Sequence, residues 1–355
     1  MSEPVVSCQR LWKIFGDKAA AALSAVREQG MEKQEIFERF GCVVGVADVS
    51  FDVYEGEIFC VMGLSGSGKS TLIRHINRLI EPTAGDVFIE GENIRKLSAE
   101  ALRELRARKI GMVFQHMALL PHRNARENVA LPLEIRNVDK HMRREVADRA
   151  LETVNLSGWE ERYPDELSGG MQQRVGLARA LAADPNILLM DEPFSALDPL
   201  IRRQLQDQFL ELAKKMRKTT IFITHDLDEA IRIGNRIAIM KDGALVQVGT
   251  PEAIVAAPAD DYVSDFVANV SKLHLITAGR IMDPIDSVTE NYSDWPVAPL
   301  DACLDELVDI SVNTAFPIVI KSGEQTLGVV TQKNLLRGVQ GRFDSAMDED
   351  VHNGG

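Results

Sequence analysis

A glycine-rich loop ending in lysine, serine and threonine is the clearest chemical pattern in the sequence. It occupies residues 63–71 and reads Gly-Leu-Ser-Gly-Ser-Gly-Lys-Ser-Thr. An apolar run over 58–62, typical of a buried strand, precedes it, and a segment with helical potential follows. Glycines allow successive backbone N–H groups to turn inward around phosphate oxygens, and the helix N-terminus adds a favourable dipole. This arrangement predicts a phosphate-binding P-loop.

The side chains of the loop add specific chemistry. Lys69 supplies a positive charge for β- and γ-phosphates, and the hydroxyl of Ser70 is a ligand for Mg²⁺. Kinases, GTPases, helicases and transporters all use P-loops, so the motif alone leaves the function open. The predicted nucleotide-binding residues of the loop are Gly63, Ser65, Gly66, Ser67, Gly68, Lys69, Ser70 and Thr71.

A second apolar run, over 187–190, ends in the two carboxylates Asp191 and Glu192. A carboxylate at a strand tip beside a P-loop can hold Mg²⁺ through water, which predicts that role for Asp191. Glu192 would then lie toward the γ-phosphate and polarise the attacking water. Taken alone, the Asp-Glu-Pro sequence also fits an exposed acidic turn.

Further polar residues stand at the predicted ends of strands and the start of a helix. Ser168, Gly169 and Gly170 come just before a predicted helix, where a hydroxyl and bare N–H groups form a second anion site or an ordinary helix cap. Gln115 and His225 each end a predicted strand, from which the amide reaches Mg²⁺ or the lytic water and the imidazole reaches a γ-phosphate.

Together these motifs resemble the ATP-binding subunit of ABC transporters, over residues 5 to about 255. The resemblance covers Walker A (63–71), the Q-loop Gln115, an LSGGQ-like signature (167–171), Walker B (187–192), a D-loop with Asp198, and the switch histidine His225. Met171 departs from the family, which usually has Gln there. The resemblance implies an α/β P-loop ATPase with a helical subdomain, and ATP and Mg²⁺ as cofactors. It also implies that Ser70, Gln115 and Asp191 bind the Mg²⁺ ion.

The same resemblance implies a head-to-tail homodimer. Each ATP lies between Walker A of one copy and the signature of the other, so that Ser168, Gly169, Gly170 and Met171 act in trans. Phe15, or else Trp12, is expected to stack on adenine. The resemblance also implies that the segment 117–121 after Gln115 contributes to a hydrophobic groove for a membrane subunit, although Leu119 and Leu120 equally fit core positions.

An insertion over 18–41 and a C-terminal module narrow the resemblance to the glycine betaine/proline betaine/choline importer subfamily. It implies an ATPase that powers import of a quaternary amine osmolyte. The implied partners are integral-membrane permease subunits and, indirectly, a periplasmic or extracellular solute-binding protein. The implied place is the cytoplasmic face of the inner (plasma) membrane, as a peripheral subunit. The solute is inferred by association, so another amino-acid-like solute, such as histidine or proline, stays open.

The expected fold is an α/β core with a small α+β module after it. Residues 1–270 form the predicted ATPase domain, including a helical insertion at 18–41 and a helical subdomain at about 116–180. Ile36, Phe37 and Phe40 are spaced to share one face of a helix in the insertion. Residues 283–340 resemble a single CBS motif, expected to stabilise packing or the dimer, and 341–355 are expected to be disordered.

Composition excludes several classes of protein. The net charge of −13 argues against general binding of nucleic acid, and from residue 283 onward 13 acidic and four basic residues give a net of −9. No run approaches the roughly 18 apolar residues that cross a bilayer, and no signal-peptide core is expected at the N-terminus. The four cysteines lack CxxC spacing, which predicts reduced thiols. A soluble ABC ATPase acting on ribosomes or DNA is the remaining alternative, although only 99 positions separate Lys69 from Ser168.

Overall fold

The computed structural model describes residues 3–115, 118–195, 197–268, 275–285, 295–323 and 325–340. The chain divides into two units, residues 1–250 and 251–355. The division falls at Thr250, twenty positions before the end of the predicted ATPase domain. The two short helices over 251–267 therefore belong to the second unit.

The first unit contains ten strands and nine α-helices within its described residues. The strands are β1 (Val6–Phe15), β2 (Val43–Val53), β3 (Ile58–Met62), β4 (Ala84–Ile89), β5 (Glu92–Asn93), β6 (Ile110–Val113), β7 (Ile187–Asp191), β8 (Thr219–Thr224), β9 (Arg236–Lys241) and β10 (Ala244–Gly249). The helices are α1 (Ala19–Gln29), α2 (Lys33–Phe40), α3 (Lys69–Ile76), α4 (Ala99–Arg108), α5 (Ala125–Ile135), α6 (Lys140–Thr153), α7 (Gly169–Ala182), α8 (Pro199–Met216) and α9 (Leu227–Ile233).

Six strands form the sheet that carries the predicted site, in the order β10-β9-β3-β8-β7-β6. Neighbours from β9 to β6 run parallel, and β10 pairs with β9 in an antiparallel hairpin. Strands β3 and β7 are buried at every position, as expected for continuous apolar runs covered on both faces. The predicted α/β core is confirmed, and its sheet is largely parallel.

A second, antiparallel sheet of order β2-β1-β4-β5 was not predicted. Residues of β2 alternate between buried and more exposed, because one face of this sheet lies on the core. Phe51 of β2 stacks on Phe59 of β3 with ring centroids 4.9 Å apart, so the two sheets share one apolar core.

The predicted insertion forms the two helices α1 and α2. Trp12 and Ile14 of β1 share an apolar cluster with both helices, including Leu23 and Ile36. Glu32 begins α2 with a capping box, in which its backbone N–H donates to Glu35 at 2.9 Å. The prediction that Phe37 shares a buried face with Ile36 is wrong, because Ile36 is fully buried, whereas Phe37 is 59% exposed.

The helical subdomain consists of α5, α6 and the first part of α7. Asn124 caps α5 with a capping box. The side-chain amide of Asn128, fully buried on α5, donates to the carbonyls of Leu120, Arg123 and Asn124 at 2.9–3.1 Å. These bonds fix the segment that enters the subdomain from β6, because a buried amide holds its acceptors in place.

The second unit is a small α/β module. Its helices are α10 (Pro251–Ala256), α11 (Asp261–Val267), α12 (Ala278–Ile281), α13 (Leu304–Val312) and α14 (Gln332–Gln340). Its strands are β11 (Asp283–Pro284), β12 (Val297–Pro299), β13 (Ile318–Ser322) and β14 (Gln325–Val330), ordered β11-β14-β13-β12. Strands β13 and β14 and the start of α14 therefore lie within the segment 283–340 that resembles a CBS motif. The predicted disordered tail, 341–355, lies outside the described residues. Within the described part of the chain, no helix is both long and apolar enough to span a bilayer.

Candidate active site

The predicted motifs meet at the carboxyl ends of three neighbouring strands. The P-loop follows β3, His225 follows β8, and Asp191 and Glu192 end or follow β7; these strands are adjacent in the order β3-β8-β7. Parallel strands end at the same edge of a sheet, so side chains far apart in sequence come together there.

Close backbone approaches fix the shape of the P-loop. Gly63 has φ +152°, and a Cβ there would lie 2.1 Å from the carbonyl oxygen of Met240. Gly68 has φ +100°, and its Cβ would lie 2.3 Å from the carbonyl oxygen of Gly45. The N–H of Gly243 also donates to the carbonyl of Ser67 at 2.9 Å. Only glycine fits at 63 and 68, because any side chain would collide with backbone atoms.

Lys69 is buried at the start of α3 and points back into the loop. Its Nζ donates to the carbonyl oxygens of Gly63 at 2.7 Å and Leu64 at 2.9 Å. Burial lowers the pKa of Lys69, while the nearby charges of Glu192 and Asp191 oppose that shift. The ammonium therefore stands in the middle of the loop with carbonyl dipoles as its partners.

Asp191 is completely buried and bonded on one side only. The hydroxyl of Ser70 donates to its Oδ1 at 2.8 Å. Its Oδ2 is buried without a hydrogen-bond donor, and Nη2 of Arg74 lies 3.8 Å away. Burial raises the pKa of Asp191, and the Ser70 bond and Arg74 oppose the rise. Arg74 is a distant partner for this oxygen, and a buried carboxylate oxygen without a hydrogen bond costs free energy, so this position favours an additional cationic ligand.

Glu192 is the point where three predicted catalytic residues meet. Its Oε2 accepts a hydrogen bond from Nε2 of Gln115 at 3.2 Å and lies 3.3 Å from Nδ1 of His225. Gln115 lies two residues beyond the end of β6, close to its predicted position at the strand end. The backbone of Glu192 is left-handed, with φ +49°, which is uncommon for a residue with a side chain.

The signature and the D-loop stand at helix N-termini. The hydroxyl of Ser168 accepts the N–H of Met171 at 3.3 Å and caps α7, and Asp198 accepts the N–H of Ile201 at 3.1 Å and caps α8. Ser168, Gly169 and Asp198 are exposed. Across the described residues, no hydrogen bond or ion pair joins the signature or Asp198 to the P-loop of the same chain.

Of the two aromatic residues proposed for adenine, Phe15 alone is accessible. Trp12 is buried under the insertion helices, and its Nε1 donates to Asp48 at 3.2 Å. Phe15 is 41% exposed, and its ring contacts Gly45, whose carbonyl lies against Gly68. The burial of Trp12 favours Phe15 as the aromatic residue for adenine, and Gly45 lies between the ring of Phe15 and Gly68 of the P-loop.

Two contacts at the site were not predicted. Nε2 of Gln173, on α7, approaches the carbonyl oxygen of Glu192 at 3.4 Å, and the hydroxyl of Ser195 donates to the same oxygen at 3.0 Å. The sequence places Gln172 and Gln173 side by side after the signature and gives no sign of which one turns inward.

Comparison with known proteins identifies the family. The family model described as "ABC transporter" matches residues 46–195. The glycine betaine transport ATP-binding protein OpuAA of Bacillus subtilis is 54% identical over 80% of this chain and 68% of its own length. The chain belongs to the ATP-binding subunits of ABC transporters. It is therefore an ATP-binding ATPase.

Two other relatives cover more of this ABC subunit. The glycine betaine/proline betaine transport system ATP-binding protein ProV of Escherichia coli is 47% identical over 92% of this chain and 80% of its own. The trimethylamine N-oxide transport system ATP-binding protein TmoW of Pelagibacter ubique is 44% identical over 95% of both chains.

A solved structure supports the fold assignment. The dimeric post-hydrolysis state of an ATP-binding cassette bound to ADP and Pi is 32% identical to the chain. The matched region covers 69% of this ABC subunit and 98% of the cassette, with a TM-score of 0.60. The predicted ABC ATPase core is confirmed.

Proposed function

We propose that this ABC subunit hydrolyses ATP to power import of a quaternary amine osmolyte such as glycine betaine, proline betaine or choline. The observation that carries the hydrolytic part is the meeting of Gln115 and His225 on one carboxylate oxygen of Glu192, at the strand ends next to the P-loop. The solute rests on the names of the relatives.

The P-loop binds the phosphates of ATP. Lys69 exchanges its hydrogen bonds to the carbonyls of Gly63 and Leu64 for hydrogen bonds to phosphate oxygens. The negative phosphate oxygens then contact a full positive charge at a buried position. The loop N–H groups and the N-terminus of α3 add to this attraction. The exposed ring of Phe15 stacks on the base, at the end of β1 beside Gly45.

The oxygens of Ser70 and Asp191 fit a magnesium ion that accompanies the nucleotide. Both are hard oxygen donors within 2.8 Å of each other, and Oδ2 of Asp191 has no hydrogen-bond donor. The amide oxygen of Gln115 is a third donor at the same edge. Bound there, Mg²⁺ would neutralise charge on the phosphate oxygens.

Glu192 orients and polarises the attacking water. Gln115 and His225 both contact Oε2 of Glu192, and the side chain of His225 is 59% exposed, which allows it to reach the γ-phosphate as well. Glu192 activates water and does not bind the phosphates. Substitution of its carboxylate should therefore abolish hydrolysis and leave ATP binding intact.

Two copies of the chain complete two ATP sites. Ser168, Gly169, Gly170 and Met171 stand at the exposed N-terminus of α7, where N–H groups and the helix dipole attract the phosphates of the partner's nucleotide. Asp198 is exposed at the start of α8, and we place it in the same interface. ATP closes the pair and hydrolysis reopens it.

The membrane partner is a permease subunit that docks an apolar helix beside Gln115. A groove of about 530 Å³ lies between α4, β6, α5 and α7, with apolar walls that include Met112, Phe114, Leu131 and Ile135. Phe114 directly precedes Gln115, so a helix in this groove is adjacent to the site. The subunit then lies peripherally on the cytoplasmic face of the membrane, and contacts a solute-binding protein only through the permease.

The proposed solutes share a fully substituted, positively charged nitrogen. Glycine betaine, proline betaine and trimethylamine N-oxide appear in the names of relatives, and the choline transport ATP-binding protein OpuBA of Bacillus subtilis is 47% identical over 82% of this chain. An amino-acid-like solute, such as histidine or proline, is the alternative that a transport assay distinguishes.

The test of the hydrolytic roles is a pair of substitutions. Glu192→Gln is expected to lower ATP turnover by a factor of about 10² or more while leaving the Kd for ATP within about twofold. Lys69→Ala is expected to weaken ATP binding itself. Turnover is measured by phosphate release and binding by calorimetry. Normal turnover by Glu192→Gln would remove Glu192 from the proposed role.

A further inference from the structure

The backbone carbonyl of Glu192 collects three hydrogen-bond donors. The N–H and the hydroxyl of Ser195 donate to it at 3.3 and 3.0 Å, and Nε2 of Gln173 approaches it at 3.4 Å. Gln173 is 2% exposed, and its Oε1 is buried with no hydrogen-bond partner in the described part of the chain. A primary amide is expensive to bury with half of its polar atoms unpaired. The site therefore keeps this amide at a cost in stability.

Glu192 needs such donors because its backbone is strained. A left-handed φ of +49° costs a residue with a Cβ about 1–2 kcal/mol, and it persists only where the surroundings hold it. The N–H of Glu192 donates to the carbonyl of Ile223 at 3.0 Å, and its carbonyl is held by Ser195 and Gln173. This backbone orientation directs the carboxylate to Gln115 and His225.

Gln173 belongs to the helix that begins at the signature. It lies in the second turn of α7, five residues after the capping Ser168. The same helix start touches the D-loop, because a Cβ on Gly170 would lie 3.0 Å from the side chain of Leu197. The start of α7 thus connects the signature, which is proposed to face the partner's nucleotide, to Glu192 in the chain's own ATP site.

We propose that Gln173 is a positioning residue, which couples the orientation of Glu192 in one ATP site to engagement of the same chain's signature in the other. The proposal rests on the proposed function, since it requires two paired sites that hydrolyse ATP. At 3.4 Å the Gln173 bond is at the long limit for N–H···O, so a small movement of α7 toward or away from Glu192 changes its strength steeply.

The test compares Gln173→Met with Gln208→Met in the purified full-length chain. Methionine keeps the length of glutamine and removes its donor. Gln208, on α8, is the matched control, because its Oε1 is also buried without a hydrogen-bond partner, and among the described residues no hydrogen bond or ion pair joins it to Glu192, Gln115 or His225. For Gln173→Met we expect kcat to fall about tenfold or more, KM for ATP to change less than twofold, and the Hill coefficient for ATP to decrease. For Gln208→Met we expect kcat within twofold of the unchanged chain.

A second measurement separates positioning from structural damage. Glu192→Gln, which is expected to hold the ATP-bound dimer, is combined with Gln173→Met, and ATP-dependent dimerisation is followed by size-exclusion chromatography. A positioning role leaves the dimer intact, whereas disrupted packing of α7 abolishes it. Gln173→Glu, which places an acceptor against the carbonyl oxygen, is expected to lower kcat at least as much as Gln173→Met.

The outcomes are distinct. Wild-type kcat in Gln173→Met, loss of kcat together with loss of the dimer, or failure of both Gln173 variants to fold would each overturn the proposal. Absence of ATPase activity in the unchanged chain, or normal turnover by Glu192→Gln, would instead contradict the proposed function.

Discussion

Glu192 depends on backbone as well as side-chain contacts, and this is where the sequence is least informative. Its type and its place after an apolar strand predict a water-activating carboxylate. The approach of Gln115 and His225 to that carboxylate agrees with their predicted positions at strand ends, because parallel strands end at one edge. The contact from Gln173 could not be predicted, because the two neighbouring glutamines differ only in which one the helix turns toward the core.

Phe15 offers a prediction at the scale of one residue. We expect Phe15→Ala to weaken ATP binding about fivefold, since stacking on an aromatic ring contributes about 0.5–1.5 kcal/mol. Fluorescence titration with an ATP analogue measures the Kd. Phe37→Ala is the control, because Phe37 is exposed on α2 and does not contact the P-loop in the described structure. Equal Kd values for both variants would exclude Phe15 from the base site.

At the scale of elements, local patterns predicted most helices and strands, including a helical insertion at 18–41, which the structure divides into α1 and α2. The sequence did not reveal that β1, β2, β4 and β5 form a separate antiparallel sheet. Strand pairing depends on contacts between residues distant in the chain, such as Val6 with Val53 and with Ile89, which no local pattern encodes.

The P-loop helix α3 carries a buried titratable group that makes its stability depend on pH. His75 is fully buried, with Nδ1 2.7 Å from the carbonyl oxygen of Ile80 and Nε2 without a partner. Burial lowers the pKa of His75 below its usual 6.5, although the Ile80 bond and Glu81 oppose this and Lys13 adds to it. The folded chain thus binds the proton less well than the unfolded chain.

We therefore expect stability to be complete above pH 6.5 and to decrease as the pH falls below it, by up to about 1.4 kcal/mol per pH unit from this group. Urea unfolding at several pH values measures it. His75→Gln retains a donor for Ile80 and does not titrate, so its free energy of unfolding should fall less steeply between pH 6.5 and 5. Parallel curves for the two proteins would contradict this account.

At the scale of the whole molecule, the two units have separate cores. Ile276, Ala278 and Ile281 pack with Leu304 and Ile318 in the second unit, so a boundary after residue 282 divides that core. The composition change near residue 283 indicated a second module. It could not locate the boundary, because α10 and α11 of the second unit lie before residue 283, where that change begins.

Removal of the second unit at Thr250 should leave basal ATPase activity within about threefold, since the motifs and their strands all lie in residues 1–250. A chain that ends at 282 retains Ile276 and Ile281 without their partners, and we expect it to aggregate more readily. Phosphate release and light scattering measure the two effects. Loss of activity in the 1–250 chain would show that the second unit contributes to the ATPase.

The most direct test of the central claim is solute-stimulated ATP hydrolysis in a complex of this chain with its permease and solute-binding protein, reconstituted in lipid vesicles. Glycine betaine, proline betaine, choline and histidine are titrated separately, with Glu192→Gln as the inactive control. The account predicts stimulation by one or more of the quaternary amines and none in the control. Stimulation by histidine alone would contradict the assigned solute, and activity that no solute changes would contradict the coupling of this ATPase to import.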